Sequence, residues 1–182
     1  MLQAQGPSLE SMRDDAIDEA TLALVTARLG RAPRGLRAVA RRDEDGQPMV
    51  IRVASLVDSK PFPTLFWLID PGLTLRIDRE EASGTIADLQ SRVDTEPALL
   101  EAMGAEHRRH IELRESFLLP GERELLEARG QWSALATRGI GGIADFGRIR
   151  CLHTWYAAHL VHANTIGRLL DERWASLRAA GD

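Results

Sequence analysis

The segments of this chain that read as β-strands are gathered between Gly35 and Ile69, and strand signals nearly vanish after them. That distribution excludes the repeated strand–helix alternation from which a parallel sheet is built. Leu36–Arg42 and the run from Pro48 to Val57 flank Asp43-Glu44-Asp45-Gly46, whose Asp-Gly pair signals a tight hairpin. Lys60-Pro61-Phe62-Pro63 is stiff and extended, because each proline restricts the residue before it. It leads into Thr64–Ile69, a continuous apolar run with the pattern of a buried central strand.

The remainder reads as helix. Met12, Ile17, Leu22, Val25 and Leu29 suit an amphipathic helix ended by Gly30 and Pro33, preceded by a loose terminus over residues 1–10. Asp70 and Pro71 form an N-cap and first-turn pair for a helix to about Ala82, and Ser83-Gly84 precedes a second ending near Val93. A third helix opens with Pro97 and runs to about Leu118, and a fourth spans Glu122 to about Ala136. A glycine-rich link, Gly139 to Gly147, then feeds a long final helix from Ile149 to Leu177. The expected fold is α+β in one domain over residues 1–182: a small antiparallel sheet from the N-terminal third, packed against helices from the C-terminal two thirds.

Acidic and basic residues, 27 and 23 of them, are intermixed, so a general nucleic-acid footprint is not expected. No apolar stretch approaches the roughly 18 residues of a membrane span, which makes the cytoplasm the expected location. Cys151 is the only cysteine, so the fold must rest on packing, without an internal disulfide.

Three groups of residues sit where packing alone would place apolar side chains. On the 97–118 helix His107 and Arg114 fall near the middle of the apolar face, with His110 at its edge. A buried arginine must be paired, either with an acidic residue elsewhere or with an anionic ligand. On the final helix His159 lies at the centre of the apolar face, as a hydrogen-bonded core residue or as a participant in chemistry. Cys151, His153, His159 and His162 crowd within twelve positions. Cysteine and imidazole are ligands of zinc, although Cys-x-His followed by histidine five or eight positions later matches no standard zinc motif. On a regular helix Cys151 and His153 point about 200° apart, so they can share a metal only if Cys151 precedes the first full turn. A thiol at a helix N-terminus beside Arg148 and Arg150, with His153 as base, is the catalytic alternative, with His159 a further proton-transfer candidate. The third group is the link itself. Gly139, Gly141 and Gly142, flanked by Arg138, Arg148 and Arg150, suit either a phosphate or carboxylate cradle or a plain tight connection.

Pro61–Leu68, Gly139–Ile143, Arg150-Cys151-Leu152-His153 through Tyr156 and Ala157 to His159, and Asn164 with Gly167 resemble the bacterial domain-of-unknown-function family 501 over about Ala27 to Leu170. The resemblance brings no established activity; members are often encoded near a septum formation initiator and an exopolyphosphatase. It implies that cysteines are common where this chain has Asp43 and Asp70, and a histidine where it has Trp155. A retained metal, zinc by its chemistry, would then take Asp43, Asp70, Cys151 and His153.

The leading functional expectation is a pocket for a small anionic or phosphate-containing ligand. Its walls would hold His107, Arg114, Gly139, Gly141, Gly142, Arg148, Arg150 and Asn164, with Cys151, His153 and His159 as catalytic candidates. The alternatives are an interaction protein of the division apparatus, presenting Trp132, Trp155 and Trp174 to a partner or a second copy of itself, and a structural metal site at Cys151 and His153.

Overall fold

The computed structural model describes residues 16–181. Helix α1 (Glu19–Leu29) is capped by Asp18, whose carboxylate accepts from the Thr21 amide at 2.6 Å. Ile17 precedes this helix, and Met12 and the expected loose terminus lie outside the described residues. Strands β1 (Leu36–Arg42) and β2 (Pro48–Val53) form the expected hairpin. Asp43 builds its turn by accepting from the Asp45 and Gln47 amides.

Beyond Val53 the chain departs from the expected long strand. Leu56–Val57 (β3) and Lys60–Pro61 (β4) make a miniature ribbon around Asp58 and Ser59, both left-handed. The apolar run Thr64–Ile69 supplies only the short strand β5 (Phe66–Leu68). It pairs antiparallel at the edge of a sheet ordered β1-β2-β5, so β2 is the central strand. The expectation of a central strand at 64–69 failed because a continuous apolar run reports cover on both faces, not position in the sheet. Phe66 and Leu68 face the main core, while Trp67 between them packs with Val25, Ile51, Val53 and Ile69 beneath α1.

The helices that follow are α2 (Pro71–Ala82), α3 (Thr85–Thr95), α4 (Pro97–Ser116), α5 (Glu122–Ala128), α6 (Ser133–Ala136), α7 (Leu152–Val161) and α8 (Thr165–Gly181). The fold is α+β as expected: a small antiparallel sheet packed against later helices. Asp70 caps α2 through the Leu73 amide at 2.7 Å, with Pro71 in the first turn. Two expected helices are divided. Residues 122–136 break at Gly130, in the left-handed region. The final helix breaks at His162–Asn164, where the Asn164 side chain accepts from the Gly167 amide to start α8 and donates to the Trp155 carbonyl of α7. Trp155 and Trp174, offered above as partner-facing aromatics, are buried in the main core.

Carboxylates out of solvent clamp α8 from two sides. Glu80 on α2 accepts from Arg173 and Trp174, and Glu106 on α4 accepts from the Thr165 amide and hydroxyl and from Arg168. Arg114, wholly buried, donates to the carbonyls of Pro63, Leu135 and Arg138. Replacing it with leucine strands three buried carbonyls. Each unsatisfied group costs about 1–3 kcal/mol, so Arg114→Leu should lose at least about 3 kcal/mol of stability in urea denaturation, and Arg114→Lys, lacking the fork, should recover only part of it. A midpoint unchanged in both variants would refute this tie.

Candidate metal centre

The sequence-predicted residues divide into those that hold the fold and those that meet. His107 belongs to the first set. Its Nδ1 accepts from the Ile140 amide at 2.9 Å, and its ring lies against Phe146 and Trp155. A Cβ on Gly139 would sit 2.1 Å from that same Nδ1, so this glycine is required by close approach of the link to α4. The link's amides are also engaged: Gly139 donates to Ile143, Gly142 to Gly139 and Ile143 to Ile140. With those donors turned inward and Arg114 bonded to carbonyls, the segment has the bonding of a tight connection rather than of an anion cradle. Arg148 and Arg150 are exposed, the former beside Asp94 and Asp145.

His159 and Asn164 build the corner between α7 and α8. The Asn164 amide donates to His159 Nδ1 at 3.0 Å, and His159 Nε2 bonds Asp171, which also accepts from the Tyr156 hydroxyl. Both ring nitrogens of His159 are therefore occupied. Gly167 makes room, since a Cβ there would fall 2.0 Å from the His159 ring. Neither residue faces Cys151 or His153 in a shared site.

Cys151 and His153 do meet. Cys151 is extended, with φ −151° and ψ 120°, at the N-cap of α7. It thus precedes the first turn, the one condition under which a Cys-x-His pair can converge. Its Sγ lies 3.8 Å from His153 Nδ1. The last turns of α2 add two carboxylates: Glu81 Oε1 is 3.4 Å from His153 Nδ1, and Asp78 Oδ1 is 3.3 Å from the opposite ring nitrogen, Nε2. The same Glu81 oxygen accepts from the Leu152 amide at 2.6 Å, locking α2 against the start of α7. Bonding with Cys151, and then the nearby negative charge of Glu81 and Asp78, raises His153 to about 9 against the effect of burial.

Glu81, Cys151 and His153 each offer an atom within 4.8 Å of the other two, the only such trio among the described residues. Zinc bonds of about 2.3 Å to sulfur and about 2.0–2.1 Å to nitrogen or oxygen, at tetrahedral angles, separate S and N by about 3.6 Å and N and O by about 3.4 Å. The separations here, 3.8 and 3.4 Å, agree with those edges.

Asp43 and Asp70 stand outside this trio. Asp70 caps the start of α2 and Glu81 lies near its end, eleven residues and about 16 Å along the axis. A ligand at position 70 cannot reach a metal held by Glu81. Asp43 is occupied by its own turn. Sequence reasoning missed Glu81 and Asp78 because they lie some seventy residues from Cys151 and carry no spacing signal relative to it. The available clue was their i, i+3 placement on one face of a well-capped helix.

The family model described as "Protein of unknown function (DUF501)" matches residues 39–172. The chain belongs to this family. No curated protein and no solved structure matches the chain. The matched stretch of this DUF501 member includes all four residues of the cluster. No helix of the described residues is long and apolar enough to cross a membrane.

Two histidines make the folded state sensitive to acid. Burial lowers His107 to about 4 and His110 to about 3, both from an ordinary value of 6.5. Below 6.5 the unfolded chain takes up protons that the folded chain refuses, so stability falls as pH drops from 6.5 towards about 4. His107 alone should remove on the order of 3 kcal/mol over that window. Urea midpoints measured across it should decline, and decline less steeply for His107→Gln; a flat profile would contradict the assignment.

Proposed function

We propose that this protein binds a zinc-type divalent cation through Glu81, Cys151 and His153. The observation that carries the reading is the convergence of a thiol, an imidazole nitrogen and a carboxylate within 4.8 Å of one another, with the sulfur–nitrogen and nitrogen–oxygen separations matching edges of a tetrahedral site. Asp78 supports it independently. Metal-bound histidines donate their other ring N–H to a carboxylate, which fixes the ring and strengthens the ligand, and Asp78 stands opposite the nitrogen that faces Cys151 and Glu81. Three protein ligands leave a fourth position, and a metal so held supplies Lewis acidity to whatever small molecule enters there. The half-buried setting, with His153 about a quarter exposed, gives such a molecule access. A reducing cytoplasm, the location we assign, keeps the Cys151 thiol available to the metal.

A second reading has its own observation. Cys151, His153 and Asp78 follow one another as nucleophile, base and orienting carboxylate, with the thiol at a helix N-terminus. Glu81 competes within it: its carboxylate lies 3.4 Å from the same His153 nitrogen that faces the sulfur, so two acceptors contest one N–H there, whereas a metal ion engages both.

Metal content of the purified full chain, followed by titration with cobalt(II), separates the two. We expect one ion per chain and a thiolate-to-cobalt charge-transfer band, both lost in Cys151→Ser. Asp78→Asn, which leaves all three ligands in place, should weaken binding about 10- to 100-fold. A chain that takes up no stoichiometric metal, with Cys151 alkylated faster than free cysteine, overturns the metal reading in favour of the nucleophile.

A further inference from the structure

The opposite end of α7 borders a cleft of about 410 Å³, within the size range of small-molecule sites. Its apolar wall is formed by Phe66, Leu113, Ile140, Ala158 and Ala163. Its polar wall is Glu106 and His110, one helical turn apart on the same side of α4.

These two side chains are only 5% and 7% exposed, yet each has an atom with no partner among the described residues. Glu106 Oε1 accepts three hydrogen bonds, from Thr165 twice and from Arg168, while Oε2 accepts none. His110 packs its ring edge-on to Phe66 and leaves Nε2 without a partner. Buried polar atoms left unsatisfied are costly, and a carboxylate oxygen more so than a neutral group. No acceptor-only partner can satisfy Oε2, because a carboxylate needs a donor. A hydroxyl can serve both atoms, donating to Glu106 Oε2 while accepting from His110 Nε2–H.

We infer that this cleft binds a small neutral molecule with a compact apolar or aromatic body and one hydroxyl group, the hydroxyl seated between Glu106 and His110. The site is separate from the metal centre: Ala158 and His162 lie at the far end of α7 from Cys151 and His153. It does not depend on metal binding, and Arg109 and Glu112 at its walls give mixed charge rather than the single sign an ionic ligand would select.

The test is a heteronuclear NMR titration of the full chain with 4-propylphenol and, in parallel, with its O-methyl ether, which keeps the shape and removes the donor. The phenol should bind saturably, with shifts concentrated around residues 106–113 and 158–164, and the ether should bind at least about tenfold more weakly. Ala163→Phe fills the cleft from an exposed position without disturbing the core. It should abolish phenol binding while leaving the thermal midpoint and metal uptake unchanged. Equal affinity for phenol and ether, phenol binding undiminished in Ala163→Phe, or a crystal soaked with the phenol that shows only an ordered water between Glu106 and His110 would each overturn the assignment.

Discussion

The guanidinium of Arg114 is fully withdrawn from water, and among the described residues its bonds run to backbone carbonyls rather than to a carboxylate. Burial pulls it down to about 10, so it still carries its charge at neutral pH, solvated by peptide dipoles in place of water. Because arginine offers five donors in a rigid fork, one side chain can hold segments that share no secondary structure with each other. Here it joins the Pro63 strap before β5, the end of α6 and the start of the glycine link to α4. His107, seven residues earlier on the same face, grips the link at Ile140. The two positions that look least suited to an apolar helix face are therefore what fixes the path of a loop of nearly no regular structure.

That path decides where chemistry is possible. Once Leu135, Arg138 and Ile140 are pinned to α4, the chain must emerge through Ile149 in a defined direction, and Cys151 arrives extended at the head of α7. The Ile149 amide donates to Gln90 on α3 at 2.9 Å, and the Leu152 amide to Glu81, which steadies the entry from two further sides. A thiol that would point away from His153 on a regular helix is instead turned towards it. The cluster is thus made by long-range backbone placement, with the local Cys-Leu-His sequence supplying only the side chains.

The pattern of apolar residues sufficed to read the hairpin, the α+β class and the starts of α2 and α4, because Asp-Gly turns and Asp-Pro or Pro-led helix openings act through their nearest neighbours. It misplaced Thr64–Ile69 and fused α7 with α8. The second error is instructive: His159 stands out on the wheel as a polar residue on an apolar face, to be read as a hydrogen-bonded core residue or as a participant in chemistry, and Asn164 is expected in a ligand pocket. Their side chains bond to main-chain groups across the corner, a relation that a helix wheel cannot represent because it presumes the helix continues. Glu80 and Glu106 were ordinary members of charged helix faces until packing removed them from solvent. No periodicity distinguishes a glutamate that clamps α8 from one that meets water.

The same reasoning separates the anion expectation from the metal one. An anion site needs donors left over after the fold has taken what it requires, and here much of the candidate set is taken: both terminal nitrogens of Arg114 by carbonyls, and the Gly139, Ile140, Gly142 and Ile143 amides by their own loop and His107. A cation site needs acceptors in surplus. The mouth of α7 has that surplus, since Cys151, Glu81 and Asp78 surround a single imidazole, and Arg148 and Arg150, just before Cys151 in the chain, are exposed. Opposed groups of that kind separate unless something positive holds them together. A protonated His153 can do so in part, donating from one nitrogen to Asp78 and from the other to either the sulfur or Glu81, whereas a metal ion engages sulfur, nitrogen and oxygen at once and leaves Asp78 to hold the ring from behind.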